Sequence, residues 1–109
     1  MVTVKEAIAR ADLDAFADAL APEVVWIGLW PGELCRNRDD VLEMFARMRE
    51  DDVRIRPEIV LEREGVLVVD PHLDGRHHVV VPRDDGLVSE VRVYRDRKAA
   101  LAAVEDRPW

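Results

Sequence analysis

Apolar residues recur every three or four positions in two stretches of the chain, and this spacing predicts two amphipathic helices. The first helix is predicted over Val4–Leu20, with a capping box at Thr3–Glu6. The second is predicted to begin at Asn37 or Asp39 and to end at about Glu50. The apolar stripe expected to be buried on the second helix consists of Val41, Leu42, Phe45, Ala46 and Met48.

Elsewhere the pattern indicates β-strands. The apolar run Val24–Trp30 predicts a first strand, and the pair Pro31-Gly32 predicts a turn after it. From residue 54 onward a loosely alternating pattern predicts four antiparallel strands, the last of them Leu87–Arg95, followed by a short closing helix over Arg97–Val104. The turns between these strands are predicted at Gly65, Asp74-Gly75 and Asp85-Gly86.

The order of these elements, helix, strand, helix and then consecutive strands, predicts an α+β fold in which helices cover one face of a curved sheet. A hydrophobic fraction of 49% provides enough apolar mass for a globular protein rather than a disordered one. Because 109 residues suffice for one hydrophobic core but not for two, we predict a single domain spanning residues 1–109.

Charge and cysteine content narrow the classes of partner. The net charge of −7 opposes binding to nucleic acid and to anionic lipid surfaces, so neither is an expected partner. The single cysteine, Cys35, excludes an intrachain disulfide and a multi-cysteine metal site. No signal-peptide pattern or membrane-spanning run is found, which favours a cytoplasmic location, and the excess of arginine over lysine favours a bacterial source.

Two segments of the chain resemble a known family. The segments Asp12–Trp26 (DLDAFADALAPEVVW) and Asp85–Asp96 (DGLVSEVRVYRD) are similar to the opening and the last strand of SnoaL-like and ketosteroid-isomerase-like proteins. The superfamily also contains nuclear transport factor two. The resemblance implies a cone-shaped fold, in which a strongly curved antiparallel sheet is covered by N-terminal helices and a cavity lies between them. It also implies a homodimer, because members of the family commonly pair.

The same resemblance implies a departure from isomerase chemistry. On the implied alignment, the proton-shuttling aspartate of ketosteroid isomerases is replaced by Gly28, and His77 falls near their second acidic residue. Their first-helix tyrosine has no counterpart, since Tyr94 is the only tyrosine of the chain. Isomerase chemistry of that type is therefore not expected, and no cofactor is predicted.

Two tryptophans lie on the first predicted strand. Side chains alternate along a strand, so Trp26, Gly28 and Trp30 should share one face, which the resemblance turns toward the cavity. Two indoles on either side of a glycine could form an apolar slot for a flat or hydrophobic ligand. The alternative is that both rings simply fill the cone.

All three histidines lie between residues 70 and 78. His77 and His78 are adjacent on a strand and must point to opposite faces, so only one of them can share a site with His72. An inward His77, with Asp70 nearby, could transfer protons. The alternative is a solvated hairpin with one inward histidine, and no metal site is predicted.

The last predicted strand places Glu90, Arg92 and Tyr94 on one face and Val91 and Val93 on the other. The resemblance favours the polar face looking into the cavity, with the valines at a dimer interface. The residues predicted to contact a ligand are therefore Trp26, Trp30, His77, Glu90, Arg92 and Tyr94.

These observations predict a domain that binds a small hydrophobic molecule in a cone-shaped cavity, without an assignable reaction. Two alternatives stay open. One is an isomerase or hydrolase that uses His77, Glu90 or Asp70 as a catalytic group, and the other is a dimeric interaction domain whose cone is filled by its own side chains.

Overall fold

The structure, a computed structural model, describes residues 3–106. These residues form one mixed sheet with helices on both sides. Four α-helices, one 3₁₀-helix and six strands follow one another in these residues. In chain order they are α1 (Val4–Ala9), α2 (Leu13–Asp18), β1 (Leu20–Ile27), the 3₁₀-helix (Pro31–Glu33), β2 (Leu34–Cys35), α3 (Arg38–Glu50), β3 (Glu58–Arg63), β4 (Val66–Asp70), β5 (His77–Pro82), β6 (Val88–Tyr94) and α4 (Arg97–Asp106).

The single first helix predicted from the sequence is two short helices. Ala11 has a φ of +54°, a left-handed conformation that ends α1. Asp12 then starts α2, because its carboxylate accepts a hydrogen bond from the Ala15 N–H at 3.0 Å. The bend lets α1 and α2 present separate apolar patches to the same core, Ile8 from the first and Phe16 from the second.

The sheet has the strand order β2-β1-β6-β5-β4-β3. Neighbouring strands pair antiparallel, as predicted, except that β1 and β6 run parallel. The predicted turn glycines Gly65, Gly75 and Gly86 all have a φ between +83° and +87°, which explains why glycine occupies these positions. The predicted α+β fold with a curved sheet is thus the observed one.

Two apolar clusters lie on the two faces of this sheet. We call the face covered by α1, α2 and α3 the inner face, and its cluster includes Trp26, Phe45 and Val91. We call the face covered by α4 the outer face, and its cluster includes Val79 and Val104. The closing helix therefore does not join the other helices, because it packs on the opposite side of the sheet.

Among residues 3–106, none of the helices combines the length and the apolar character that crossing a bilayer requires.

Candidate functional site

A cavity of about 140 Å³ lies between the inner face of the sheet and the helices α1 to α3. Its wall is mostly aromatic and aliphatic, and the polar residues that reach it are few. The apolar part of the wall includes Phe16, Trp26, Phe45, Val80, Val91 and Val93. The polar part consists of Asp12, Glu33, Arg76 and His78. An apolar, concave wall with a few placed polar groups is the usual composition of a small-molecule site.

Aromatic side chains form one corner of the cavity. The rings of Trp26 and Phe45 meet edge to face, with centroids 5.8 Å apart and an angle of 85° between their planes. Phe45 also contacts Phe16 at 6.3 Å, and Trp26 contacts the imidazole of His78 at 5.4 Å. These contacts place the indole between Phe45 of α3 and His78 of β5.

His78 is neutral at physiological pH. Its pKa is lowered to about 4, chiefly by burial and then by the positive charge of Arg76, while Asp74 acts in the opposite direction. A neutral imidazole has one N–H donor and one acceptor nitrogen. The cavity therefore contains a hydrogen-bonding group that does not carry a charge.

Glu33 and Arg76 form a charged pair that, with His78, makes up what we call the polar end of the cavity. Arg76 Nη1 lies 3.9 Å from Glu33 Oε2. The guanidinium is held from behind by Asp74, to which Nε and Nη2 each donate a hydrogen bond of 2.8 Å. These bonds lower the pKa of Asp74 and raise that of Arg76, so both groups stay charged.

Gly28 makes room for Glu33 rather than for a ligand. A Cβ added at Gly28 would lie 2.3 Å from both Cβ and Oε2 of Glu33. The Glu33 carboxylate in turn accepts a hydrogen bond of 3.3 Å from the Leu29 N–H. The gap that the sequence places between two tryptophans is thus filled by a carboxylate at the polar end of the cavity.

The structure separates the two tryptophans. Trp26 is 8% exposed and lines the cavity, as predicted, but Trp30 is 60% exposed and lies outside it. The prediction for Trp30 is wrong because β1 ends at Ile27, so the alternation of a strand does not extend to residue 30.

The predicted inward face of β6 is also wrong. Val91 and Val93 line the cavity, whereas Arg92 is exposed and Tyr94 packs with the cluster beneath α4. Glu90 is half-buried and pairs with Val81, which belongs to that same outer cluster. Because residues opposite each other in an antiparallel pair share a face, the register places Val80 of β5 and Val91 of β6 inside together.

His77 and Asp70 belong to the outer face as well. His77 pairs with Tyr94, and its neighbour His78 pairs with Val93, so His78 is the histidine of the cavity. Asp70 lies between Val69 and Pro71, both of which line the cavity, and its own side chain points away from it. The proposed catalytic candidates His77, Glu90 and Asp70 therefore do not share a site with Trp26.

Sequence reasoning missed Glu33, Arg76 and the role of His78. The sequence does contain a signal for His78, since adjacent residues of a strand point to opposite faces and one of the two histidines must face inward. Glu33 is the last residue of the 3₁₀-helix and Arg76 lies in the connection between β4 and β5, where no periodicity indicates the direction of a side chain.

The chain is similar in sequence to one family. The sequence model described as SnoaL-like domain matches residues 3–101. No curated protein matches the sequence.

Several solved structures share the fold. TerC, co-crystallised with polyporic acid, is 15% identical with a TM-score of 0.58, and the match covers 92% of this chain and 91% of TerC. SalBIII, an epoxide hydrolase/cyclase-like enzyme with a role in pyran ring formation in salinomycin, is 16% identical with a TM-score of 0.56, and the match covers 80% of each chain. A protein from Catenulispora acidiphila with a ketosteroid isomerase-like fold, in complex with trimethylamine, is 16% identical with a TM-score of 0.57, covering 92% of this chain and 87% of that one.

Proposed function

Because the chain belongs to the SnoaL-like domain family, we propose that it binds a small hydrophobic molecule in the cavity on the inner face of its sheet. The observation that carries this proposal is the wall itself, which is apolar except at a few positions. Of these, Asp12 uses its carboxylate to cap α2, so Glu33, Arg76 and His78 are the polar side chains among residues 3–106 that are placed to orient a ligand.

The volume limits the size of the ligand. A cavity of about 150 Å³ lined by apolar side chains holds one benzene-sized ring, and this cavity measures about 140 Å³. A single six-membered ring, or one ring of a larger molecule, therefore fits the apolar part of the wall.

The polar end favours a ring that carries a hydroxyl group. The distance of 3.9 Å between Arg76 Nη1 and Glu33 Oε2 is too long for a direct hydrogen bond. A ligand hydroxyl between them can donate to the carboxylate and accept from the guanidinium, which satisfies both groups. A phenol-like molecule is accordingly a better match than a purely apolar one such as toluene.

An enzymatic reaction on the bound molecule is the second candidate. Glu33 is a carboxylate beside an apolar wall, where it could accept a proton from a bound hydroxyl. The fold that the chain shares with SalBIII, an epoxide hydrolase/cyclase-like enzyme, supports this candidate. His77, Glu90 and Asp70 do not, because they lie on the outer face.

A dimeric interaction domain with a filled cone is less well supported, because the cavity is not filled by the described side chains. Pairing of two copies stays a prediction. Val91 and Val93 do not provide its interface, since they are 0% and 6% exposed within the chain.

The proposal is tested by titrating the full chain with phenol and with toluene and following amide chemical shifts by NMR. We expect saturable shifts around Trp26 and His78, with phenol bound more tightly than toluene. Val93→Phe, which places a ring in the cavity, should abolish these shifts. Leu61→Phe, on the outer face, is the matched control and should leave them intact.

Two results would contradict the proposal. Shifts that persist in Val93→Phe would place binding elsewhere, and an absence of shifts with both probes would favour the interaction domain. A separate result would support the enzymatic candidate: Glu33→Gln would still bind the ligand but would no longer turn over a substrate.

A further inference from the structure

We propose that Glu58, Asp70 and His72 form a binding site for a divalent metal ion of the zinc class, on the side of the sheet away from the cavity. Two carboxylate oxygens and one imidazole nitrogen, one from each residue, all lie within 4.8 Å of one another. The fold brings them together because Glu58 on β3 pairs with Asp70 on β4, and His72 follows two residues later. Such a mixed set of nitrogen and oxygen ligands suits zinc.

The hydrogen bonds of His72 show which ring nitrogen is available to a metal. Its Nδ1 lies 2.6 Å from the carbonyl oxygen of Arg56. A carbonyl oxygen only accepts hydrogen bonds, so Nδ1 must carry the proton and Nε2 is left to face the carboxylates. A backbone carbonyl behind the other ring nitrogen is also the arrangement that orients histidine ligands of metals.

The distances around His72 Nε2 fit a metal better than they fit hydrogen bonds. Nε2 lies 3.5 Å from Glu58 Oε1 and 3.6 Å from Asp70 Oδ2. In a tetrahedral site with bonds of about 2.0–2.1 Å, two ligand atoms are about 3.3–3.5 Å apart. An unprotonated Nε2 directs its lone pair at two carboxylates, and a bound metal ion relieves this repulsion as a proton on Nε2 does.

Asp70 is oriented toward the imidazole by a backbone hydrogen bond. Its Oδ1 accepts a hydrogen bond of 2.8 Å from the His72 N–H, and its Oδ2 faces His72 Nε2. Glu58 and His72 are accessible to solvent, so an ion can enter the site.

Arg97 lies on the other side of Asp70 and competes for it. Its Nη2 is 3.3 Å from Asp70 Oδ2, and its Nε donates to Nε2 of His77 at 3.2 Å. A carboxylate can bind a guanidinium and a metal ion at the same time, but the positive charge of the guanidinium repels the ion and lowers the affinity of the site for it. The proposal therefore predicts opposite effects for the loss of a ligand and for the loss of Arg97.

The experiment is a calorimetric titration of the untagged, chelator-treated full chain with zinc chloride at neutral pH. We expect one zinc ion per chain. Glu58→Gln and His72→Gln should each weaken binding by about tenfold or more, because each removes one of three ligands. Glu62→Gln, on the same strand, is the matched control and should bind like the unmodified chain. Arg97→Gln should bind zinc more tightly.

Cobalt(II) provides a second readout, because a tetrahedral site gives it a strong visible absorption band that Glu58→Gln and His72→Gln should weaken. Circular dichroism of each variant shows that it is folded, as expected for substitutions at accessible positions. The proposal is overturned if the unmodified chain takes up no stoichiometric zinc. It is also overturned if Glu58→Gln and His72→Gln both bind zinc as the unmodified chain does.

Discussion

His77 and His78 are neighbours on β5, yet their side chains lie on opposite faces of the sheet and in different environments. His77 is 5% exposed on the outer face, where its Nδ1 donates to the Gly75 carbonyl and its Nε2 accepts from Arg97. His78 lines the cavity on the inner face, where burial keeps it neutral. One imidazole belongs to a network of charged groups, and the other borders an apolar space.

The two faces also differ in the partners that their polar groups have. On the outer face, polar groups such as Asp70 and Arg97 satisfy one another within the chain. On the inner face, Glu33 and Arg76 are 3.9 Å apart and border an apolar cavity. Half-buried polar groups beside an apolar space gain from a further partner, so a ligand can complete the polar end of the cavity.

The largest effect is expected when one residue on each face of β6 is substituted, in two separate variants. Val91→Asn should lower the free energy of unfolding by about 3–4 kcal/mol, because it removes buried apolar surface and leaves an amide in an apolar wall. Arg92→Asn, on the exposed side, should cost about 0.5 kcal/mol or less. Urea unfolding of both variants measures these changes. Equal losses would mean that the two faces of β6 are not distinguished as the structure describes.

A pH titration of stability sharpens the contrast at His78. Its pKa is about 4 in the folded chain and 6.5 ordinarily, so between these values the unfolded chain binds more protons than the folded one. Stability should be fully present above pH 6.5 and should fall as the pH is lowered toward 4, by up to about 3 kcal/mol.

His78→Gln should flatten the pH dependence of stability between pH 6.5 and 4, as measured by urea unfolding at several pH values. The same slope in His78→Gln and in the unmodified chain would show that other groups cause the acid sensitivity.

The smallest expected effect concerns the outer network. Arg97→Gln removes a positive charge beside Asp70, so the pKa of Asp70 should rise toward its ordinary value. Because Arg97 is half-exposed, the loss of stability should be about 1 kcal/mol or less. An NMR titration of the Asp70 carboxyl carbon in the presence of a chelator measures the shift. Arg95→Gln, at an exposed neighbouring position, should leave the pKa of Asp70 unchanged.

Much of the fold could be predicted from the sequence because its signals are local. The side chain of Asn37 accepts a hydrogen bond from the Asp40 N–H at 2.9 Å and caps α3, as its residue type indicates. Gly65, Gly75 and Gly86 mark turns because their φ values suit glycine. The apolar runs predicted β1, and the segments resembling SnoaL-like proteins predicted the family that the match over residues 3–101 shows.

The candidate site was predicted less well, since it depends on which face of each strand the helices cover. Alternation along β6 separates Glu90, Arg92 and Tyr94 from Val91 and Val93, but it does not say which set is inside. Because α4 covers the outer face and α1 to α3 cover the inner face, side chains on both faces of β6 meet a helix. The expectation that one face is buried therefore does not identify the face that borders the cavity. Trp26 was placed correctly because it lies within β1, and Trp30 was not, because β1 ends before it.

The sequence by itself determined the local elements of this protein, namely where helices are capped, where turns need glycine and where strands alternate. Only the tertiary structure decided that His78 rather than His77 borders the cavity, that Glu33 occupies the space beside Gly28, and that Glu58, Asp70 and His72 meet. The physical reason is that capping, turn formation and alternation act between residues close in the chain, whereas these encounters are set by the register of distant strands and by the side on which each helix packs.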